Sequence, residues 1–245
     1  MALIEFENVS KTFKQGTGAK ILFRHMHDKV TRRERNLFYA LRGVSFSLDH
    51  GESLAIIGRN GAGKSTLLSL VAGLSRPNEG RVDIDGKVAA LLELGSGFHG
   101  DLTGVENLWL NAALLGLTRK KTAQVFDSII EFSGIGDFIF QPLRTYSTGM
   151  VMRLAFAVAV HVDPDILIVD EVLAVGDAAF YSKCLDKIME FRHSGKTLLF
   201  VSHSGAMLKM LCDRALWLNQ GCVMADGDIS EVTALYDASV LPAGV

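Results

Sequence analysis

The chain has 245 residues, a formal net charge of −2 and 49% hydrophobic residues, which suits one domain with a substantial core. Its 25 Lys and Arg against 27 Asp and Glu lack the basic excess by which nucleic-acid-binding proteins neutralise phosphates. The three cysteines are scattered without paired ligand spacing, and no apolar run approaches the ~20 residues of a membrane span. We therefore expect a single cytosolic domain over 1–245, without nucleic acid as a partner.

The N-terminal part predicts an antiparallel layer of strands. Val44, Phe46 and Leu48 alternate with serine or charged residues, Val82 and Ile84 alternate with polar residues, and Leu216 and Leu218 precede an Asn-Gln-Gly turn. This period of two is typical of half-buried strands at the margin of a sheet.

The segment from about 15 to 38 lengthens the connection between the first strands. It carries six Lys or Arg against two acids, interleaved with apolar residues. Such a basic amphipathic segment suits contact with anionic lipid or a lipid pyrophosphate, but a solvated insertion explains the composition equally well.

Three short apolar runs predict the strands of a buried parallel sheet. They are SLAIIG from Ser53, DILIVDE from Asp165 and TLLFVSH from Thr197, each rich in Ile, Leu or Val. Polar residues follow each run directly. Because open α/β sheets bind ligands outside the carboxyl ends of their strands, we expect a site there.

The strongest motif is GRNGAGKST, which lies between the first of these strands and the helix-like run LLSLVAGL. Glycines allow successive backbone N–H groups to turn toward a phosphate, a lysine adds a point charge, and a serine hydroxyl can reach Mg²⁺. The motif predicts binding of a nucleoside triphosphate such as ATP. The expected phosphate-binding residues are Gly58, Asn60, Gly61, Ala62, Gly63, Lys64, Ser65 and Thr66.

Two acids and a histidine end the other two buried strands. Asp170 and Glu171 point to opposite sides of the sheet, so Asp170 is expected to hold Mg²⁺ and Glu171 to orient the attacking water. His203 ends the neighbouring strand, where an imidazole can contact the terminal phosphate. A solvated acid pair and a structural histidine are the alternatives.

From about 100 to 160 the pattern becomes helical. VENLWLNAALLGL and TAQVFDSIIEF carry apolar residues at three- and four-residue spacing, which predicts a separate helical lobe. YSTGM then places a Ser-Thr-Gly step before an apolar stretch, as at the start of a helix.

Together these motifs resemble the ATP-binding-cassette (ABC) family, whose fold has a mostly parallel core sheet, an N-terminal antiparallel β layer and an inserted helical lobe. In that family a signature, usually LSGGQ, begins a helix that meets the ATP held by a second copy. YSTGM matches it, which implies that Ser147, Thr148 and Gly149 face the partner's nucleotide. By itself, a plain helix cap would explain the same residues.

The resemblance assigns further positions. Asp177 in AVGD matches an inter-subunit aspartate, although an N-cap role explains it equally well. The family's glutamine is absent from LLELGSGFHG, and Glu93 lies nearby as a possible substitute at the metal. Phe13 and Tyr39 are alternative candidates for stacking on adenine.

Three stretches of the chain together resemble ATPase subunits of bacterial exporters of O-antigen, capsule or teichoic acid. They are VAALLELGSGFHGDLTGVENLWLNAALLGL, YSTGM and DEVLAVGDAAF. The resemblance implies a homodimer at the cytoplasmic face of the inner membrane, beneath two copies of a multi-span permease that moves a lipid-linked glycan. Phe98, His99 and Leu102 are candidates for docking on that permease, and packing within a turn explains them equally well. Some members of this branch carry a C-terminal carbohydrate-binding domain, for which we expect no room in a sequence that stops at Val245.

Three other functions are weighed against export. A cassette ATPase acting on nucleic acid or ribosomes usually has two cassettes or a long charged insertion. A phosphotransferase would need an acceptor pocket. A nucleotide-gated module without hydrolysis would not need Glu171 and His203.

Overall fold

A computed structural model describes residues 2–14, 37–91, 95, 97–170, 177–202 and 204–240. Within these ranges the strands form one three-stranded and one six-stranded sheet. The strands are β1 Ala2–Lys14, β2 Leu37–Asp49, β3 Ser53–Ile57, β4 Glu79–Ile84, β5 Val88–Ala90, β6 Ile166–Val169, β7 Thr197–Phe200, β8 Arg214–Asn219 and β9 Cys222–Asp228.

The smaller sheet is the predicted antiparallel layer. Its strand order is β2-β1-β4, and β1 pairs with both neighbours in antiparallel register. Val44, Phe46 and Leu48 are buried, and the rings of Phe6 and Phe46 stack with centroids 4.7 Å apart. The alternating pattern therefore identified the buried face of β2.

The larger sheet has the order β5-β6-β7-β3-β8-β9 and is parallel except for β9. Every residue of β3, β6 and β7 is buried, as their continuous apolar runs predict. The sequence predicts Leu216 and Leu218 to belong to the antiparallel layer, but they lie on β8, which runs parallel to β3 and antiparallel to β9. Ala215 is also fully buried, so β8 is covered on both faces and belongs to the core sheet.

The described helices cover the core sheet and form the lobe. They are α1 Lys64–Val71, α2 Gly104–Leu114, α3 Arg119–Ser133, α4 Thr148–Val160, α5 Ala178–His193, α6 Gly205–Leu211 and α7 Ile229–Val240. Two short 3-10 helices, Gly136–Phe140 and Leu143–Thr145, lead into α4. None of the helices in the described ranges has the length and apolarity needed to cross a bilayer.

The lobe is built around its own hydrophobic cluster. Leu108, Ile129 and Leu154 are fully buried there and bring together α2, α3 and α4. Different clusters fill the two faces of the core sheet, and one of them includes Leu67 and Leu68 of α1. The phosphate-loop motif and the start of α4 therefore rest on separate hydrophobic supports.

Candidate nucleotide-binding site

The phosphate-loop motif joins buried β3 to α1, as the sequence predicts. Gly63 has φ 111°, a left-handed value that disfavours other residues, and a Cβ there would lie 2.6 Å from the Ala40 carbonyl oxygen. A Cβ at Gly58 would overlap the Leu218 carbonyl oxygen. These two glycines are therefore required by close backbone approach as well as by conformation.

Backbone hydrogen bonds hold the loop from outside. The Gly221 N–H, in the turn between β8 and β9, donates to the Ala62 carbonyl over 2.9 Å. The Gly221 carbonyl accepts from the Arg42 N–H of β2 over 2.8 Å. The loop is thus fixed by main-chain atoms of both sheets.

Lys64 lies at the start of α1. Its ammonium donates to the carbonyl oxygens of Gly58 (2.7 Å) and Arg59 (3.2 Å), so the side chain folds over the loop. The helix begins after Gly63 without a side-chain cap. Its first N–H groups and the positive end of its dipole therefore lie at the loop, an arrangement that favours phosphate.

Asp170 directly follows β6 and is half-buried. β6 and β3 are both neighbours of β7, and all three run parallel, so their carboxyl ends share one edge of the sheet. The Val201 N–H after β7 donates to the Val169 carbonyl over 2.9 Å, which continues the pairing up to Asp170. Asp170 and the phosphate loop consequently lie at the same edge.

Three predicted site residues lie outside the described ranges. They are Glu93, Glu171 and His203. The basic segment over 15–36 is also outside them, and only its last two residues, Leu37 and Phe38, begin β2.

Ser147 is the N-cap of α4, as the YSTGM pattern predicts. Its hydroxyl accepts a hydrogen bond from the Met150 N–H over 3.2 Å. Thr148 and Gly149 form the first turn, whose N–H groups precede the first intrahelical bonds. The start of α4 is chemically suited to binding an anion. It is supported by the hydrophobic cluster of the lobe, whereas the phosphate loop is supported by a cluster of the core sheet.

Asp177 caps α5 and also forms an ion pair. Its carboxylate accepts from the Phe180 N–H (2.9 Å) and from the guanidinium of Arg153 in α4 (2.6 Å). These contacts, first the Phe180 N–H and then Arg153, lower the pKa of Asp177. The guanidinium also lies 5.2 Å from the centre of the Phe180 ring. The sequence left the N-cap open as one role for Asp177, but gave no signal for Arg153.

The two candidates for adenine stacking lie on opposite faces of the small sheet. Phe13 pairs with Phe38, and Thr12 pairs with Tyr39. Opposite residues of a strand pair share a face and successive residues alternate, so Phe13 and Tyr39 point away from each other. The guanidinium of Arg42 covers the Tyr39 ring at 4.7 Å, whereas Phe13 is 48% exposed.

Asn107 organises the turn that contains His99 and Leu102. It is fully buried, and its amide nitrogen donates to the carbonyls of His99 (3.0 Å), Leu102 (3.1 Å) and Thr103 (3.0 Å). Its side-chain oxygen accepts from the His99 N–H over 2.7 Å. The sequence missed Asn107 because its position within an amphipathic helix gives no sign of these bonds.

The fold and the phosphate loop define an α/β nucleotide-binding cassette. A sequence model described as ABC transporter matches residues 41–174, more than half of the chain. The chain belongs to this family, and the predicted family membership is confirmed.

Two solved structures share the fold. An ATP-binding subunit of an ABC transporter superposes with a TM-score of 0.76 at 23% identity, covering 98% of this chain and 95% of the other. A dimeric ATP-binding cassette in a post-hydrolysis state, bound to ADP and Pi, gives 0.73 at 22% identity, with coverages of 92% and 98%. These likenesses confirm the predicted architecture of two sheets and a helical lobe.

The similar curated relatives are named for export systems. The O-antigen export system ATP-binding protein RfbB of Klebsiella pneumoniae is 46% identical, over 96% of this chain and 97% of the relative. The teichoic acids export ATP-binding protein TagH of Bacillus anthracis is 45% identical, over 96% of this chain and 42% of the relative. The O-antigen export system ATP-binding protein RfbB of Myxococcus xanthus is 49% identical, over 89% of this chain and 50% of the relative. The chain thus spans half or less of the length of the last two.

Proposed function

We propose that this chain is an ATP-hydrolysing export subunit that works as a homodimer. The observation that carries the proposal is the presence, in one chain, of a phosphate loop and a serine-capped helix start on separate hydrophobic supports. Two copies arranged head to tail would place the helix start of each against the nucleotide held by the other. ATP would then stabilise the closed pair, and hydrolysis would release it.

The phosphate loop would bind the triphosphate through its backbone N–H groups. Lys64 would exchange its bonds to the Gly58 and Arg59 carbonyls for phosphate oxygens, to which its charge is better suited. Phe13 is the better placed candidate for stacking on adenine, because its ring is half-exposed and the Lys11 ammonium lies farther from it (5.5 Å) than the Arg42 guanidinium lies from the Tyr39 ring (4.7 Å).

Ser65 and Asp170 would hold Mg²⁺. A hydroxyl and a carboxylate are the hard oxygen donors that this ion prefers, and phosphate oxygens and waters usually complete its coordination. When bound, Mg²⁺ would supply charge that stabilises the transferring phosphoryl group. Glu93, which lies near the position of the missing family glutamine in the sequence, is a further proposed ligand.

Glu171 and His203 would act on the terminal phosphate. A carboxylate directly after Asp170 is suited to orienting and deprotonating the attacking water. The imidazole of His203 would donate a hydrogen bond to the γ-phosphate and lose that contact after cleavage. Both roles follow from the order of residues at the strand ends.

Ser147, Thr148 and Gly149 would complete the site of the second copy. Their contribution is the N-terminus of α4, where N–H groups and the helix dipole favour the γ-phosphate. Asp177 would act across the same interface from its position at the start of α5, held there by Arg153.

The proposed cargo is a lipid-linked polysaccharide such as O-antigen, capsule or teichoic acid. The names of relatives that are 45% and 46% identical over 96% of this chain support this class. A multi-span permease in two copies would carry the glycan, and the cassette pair would bind its cytoplasmic side. The turn with Phe98, His99 and Leu102 is the proposed contact with the permease.

Affinity purification from native membranes tests this proposal. A Glu171→Gln chain supplied with Mg-ATP should accumulate in the closed state and bring down a multi-span protein, together with a lipid-linked sugar detectable by mass spectrometry. A Lys64→Ala, Glu171→Gln chain is the control, since it should fail to close. Recovery of ribosomes or a nucleic-acid assembly in place of the membrane protein would contradict the export function.

A further inference from the structure

Tyr146 stands immediately before the Ser147 cap and occupies the first position of YSTGM, where the ABC signature usually has leucine. Its backbone is extended, with φ −81° and ψ 147°, and its N–H donates to the Leu143 carbonyl over 2.9 Å. The conformation of Tyr146 therefore sets the direction in which the chain enters the cap.

The phenol of Tyr146 is anchored within the lobe. Its hydroxyl donates to the Phe138 carbonyl oxygen over 2.5 Å, and its ring meets the Phe138 ring edge to face, with centroids 6.5 Å apart. Partial burial raises the pKa of Tyr146, so the hydroxyl stays protonated as a donor at neutral pH. A leucine side chain has no atom that can make this bond.

Gly104, the first residue of α2, provides the space for the phenol. A Cβ there would overlap the Tyr146 hydroxyl and would lie 2.9 Å from the Ile139 carbonyl oxygen. A capping box fixes this helix start, because Thr103 accepts from the Glu106 N–H (3.2 Å) and Glu106 accepts from the Thr103 N–H (2.8 Å). The phenol consequently packs against a well-defined part of the lobe.

Backbone hydrogen bonds join the two segments on which these residues lie. The N–H groups of Arg144 and Leu143 each donate over 2.9 Å, to the carbonyls of Gly100 and Leu102 respectively. The Gly104 N–H donates to the Gln141 carbonyl over 3.1 Å. Segment 100–104, which includes Leu102 of the proposed permease contact, is therefore joined directly to segment 141–146.

We propose that Tyr146 is a positioning residue for the composite nucleotide site: its phenol ties the residue before the Ser147 cap to the Phe138 carbonyl, close against Gly104, and holds the start of α4 where it meets the nucleotide of a second copy. This inference rests on the proposed homodimer. It assigns to Tyr146 a role that the usual leucine cannot perform, since leucine leaves the Phe138 carbonyl without this donor.

The test compares Tyr146→Phe with Tyr146→Leu, both in the Glu171→Gln background and in the otherwise unchanged chain. Binding of Mg-ATP to the monomer should be unaltered, because the phosphate loop is on a different support. Dimerisation at saturating Mg-ATP should weaken about two- to tenfold on loss of the hydrogen bond between Tyr146 and Phe138. When Tyr146 is replaced in the otherwise unchanged chain, the kcat for ATP hydrolysis should fall without a matching rise in the KM for ATP.

Tyr236→Phe is the matched control, because Tyr236 lies on α7 against Trp217 and its hydroxyl is remote from the lobe. Gly104→Ala displaces the phenol without changing its chemistry. It should likewise weaken dimerisation while the monomer's affinity for ATP is retained. Combined with Tyr146→Phe, its effect should be smaller than the sum of the two, since both act through one contact.

Three outcomes would overturn the inference, and they are distinguishable. If Glu171→Gln forms ATP-dependent dimers and Tyr146→Phe dimerises as well as Tyr236→Phe, Tyr146 has no positioning role. If Tyr146→Phe loses ATP binding, dimerisation and thermal stability together, its role is in folding alone. If Glu171→Gln itself never dimerises, the proposed homodimer fails, and this inference fails with it.

Discussion

The phosphate loop and the start of α4 both present helix N-termini, but they are held by different kinds of atom. Around the loop, main-chain groups of Ala40, Leu218 and Gly221 approach so closely that only glycine fits at two positions. Around α4, side chains including those of Tyr146, Ser147 and Arg153 add to the main-chain bonds of segment 141–146. Close backbone approach leaves only glycine possible at a position, whereas a side-chain contact can be replaced by a different one.

The largest effect that tests this difference is expected at Lys64. Lys64→Ala removes the ammonium that folds over the phosphate loop, so we expect ATP turnover to fall by about a hundredfold or more. Lys209→Ala, an exposed lysine on α6, should leave turnover unchanged. Steady-state ATPase assays of the two proteins decide the point, and equal activity would remove Lys64 from the site.

Gly63→Ala tests whether the loop is constrained by its backbone. The added methyl group meets the Ala40 carbonyl in a left-handed conformation, so we expect a loss of about 1–3 kcal/mol in unfolding free energy, together with weaker ATP binding. Gly205→Ala is the control, because a Cβ there meets no atom within 4 Å. Urea unfolding followed by fluorescence compares the unfolding free energies of the two variants, and calorimetric titration compares their ATP binding. A fully stable Gly63→Ala protein would contradict the steric argument.

Arg153→Met tests whether side-chain contacts position the start of α4. It removes a charged partner of Asp177 but retains most of the apolar length, so we expect kcat to fall about three- to tenfold with ATP affinity of the monomer retained. Lys187→Met, which breaks a pair with Glu190 farther along α5, should have little effect. A loss of monomer ATP affinity in Arg153→Met would show that the two regions are not independent.

The smallest effect is expected at the adenine. Phe13→Ala should raise the dissociation constant for ATP about two- to tenfold, because one aromatic stacking contact is lost. Tyr39→Ala should leave it unchanged, since Tyr39 lies on the opposite face under Arg42. Calorimetric titration separates the two, and the reverse result would assign adenine to Tyr39.

The sequence predicted the core sheet and the phosphate loop because their residue patterns have few structural alternatives. Continuous apolar runs identified β3, β6 and β7, and the glycine spacing identified the loop. The grouping of Leu216 and Leu218 with the antiparallel layer was wrong, because β8 runs parallel to β3 and Ala215, on its opposite face, is also fully buried.

The contacts that hold the start of α4 were much less predictable. Tyr146 and Arg153 act through single partners in other elements, the Phe138 carbonyl 8 residues earlier and Asp177 24 residues later. Nothing in local composition indicates such pairs. Strand register was similarly needed to separate Phe13 from Tyr39, since the sequence places both simply ahead of the core.

The central claim is that each nucleotide site is shared between two chains, and a mixing experiment tests it most directly. In the Glu171→Gln background, one chain would carry Lys64→Ala and the other Ser147→Arg, so that neither forms dimers alone. Mixed in Mg-ATP, they retain one intact loop facing one intact helix start, and sedimentation should show a dimer with a single bound nucleotide. Persistent monomers in the mixture, or full dimerisation of either variant alone, would contradict the account.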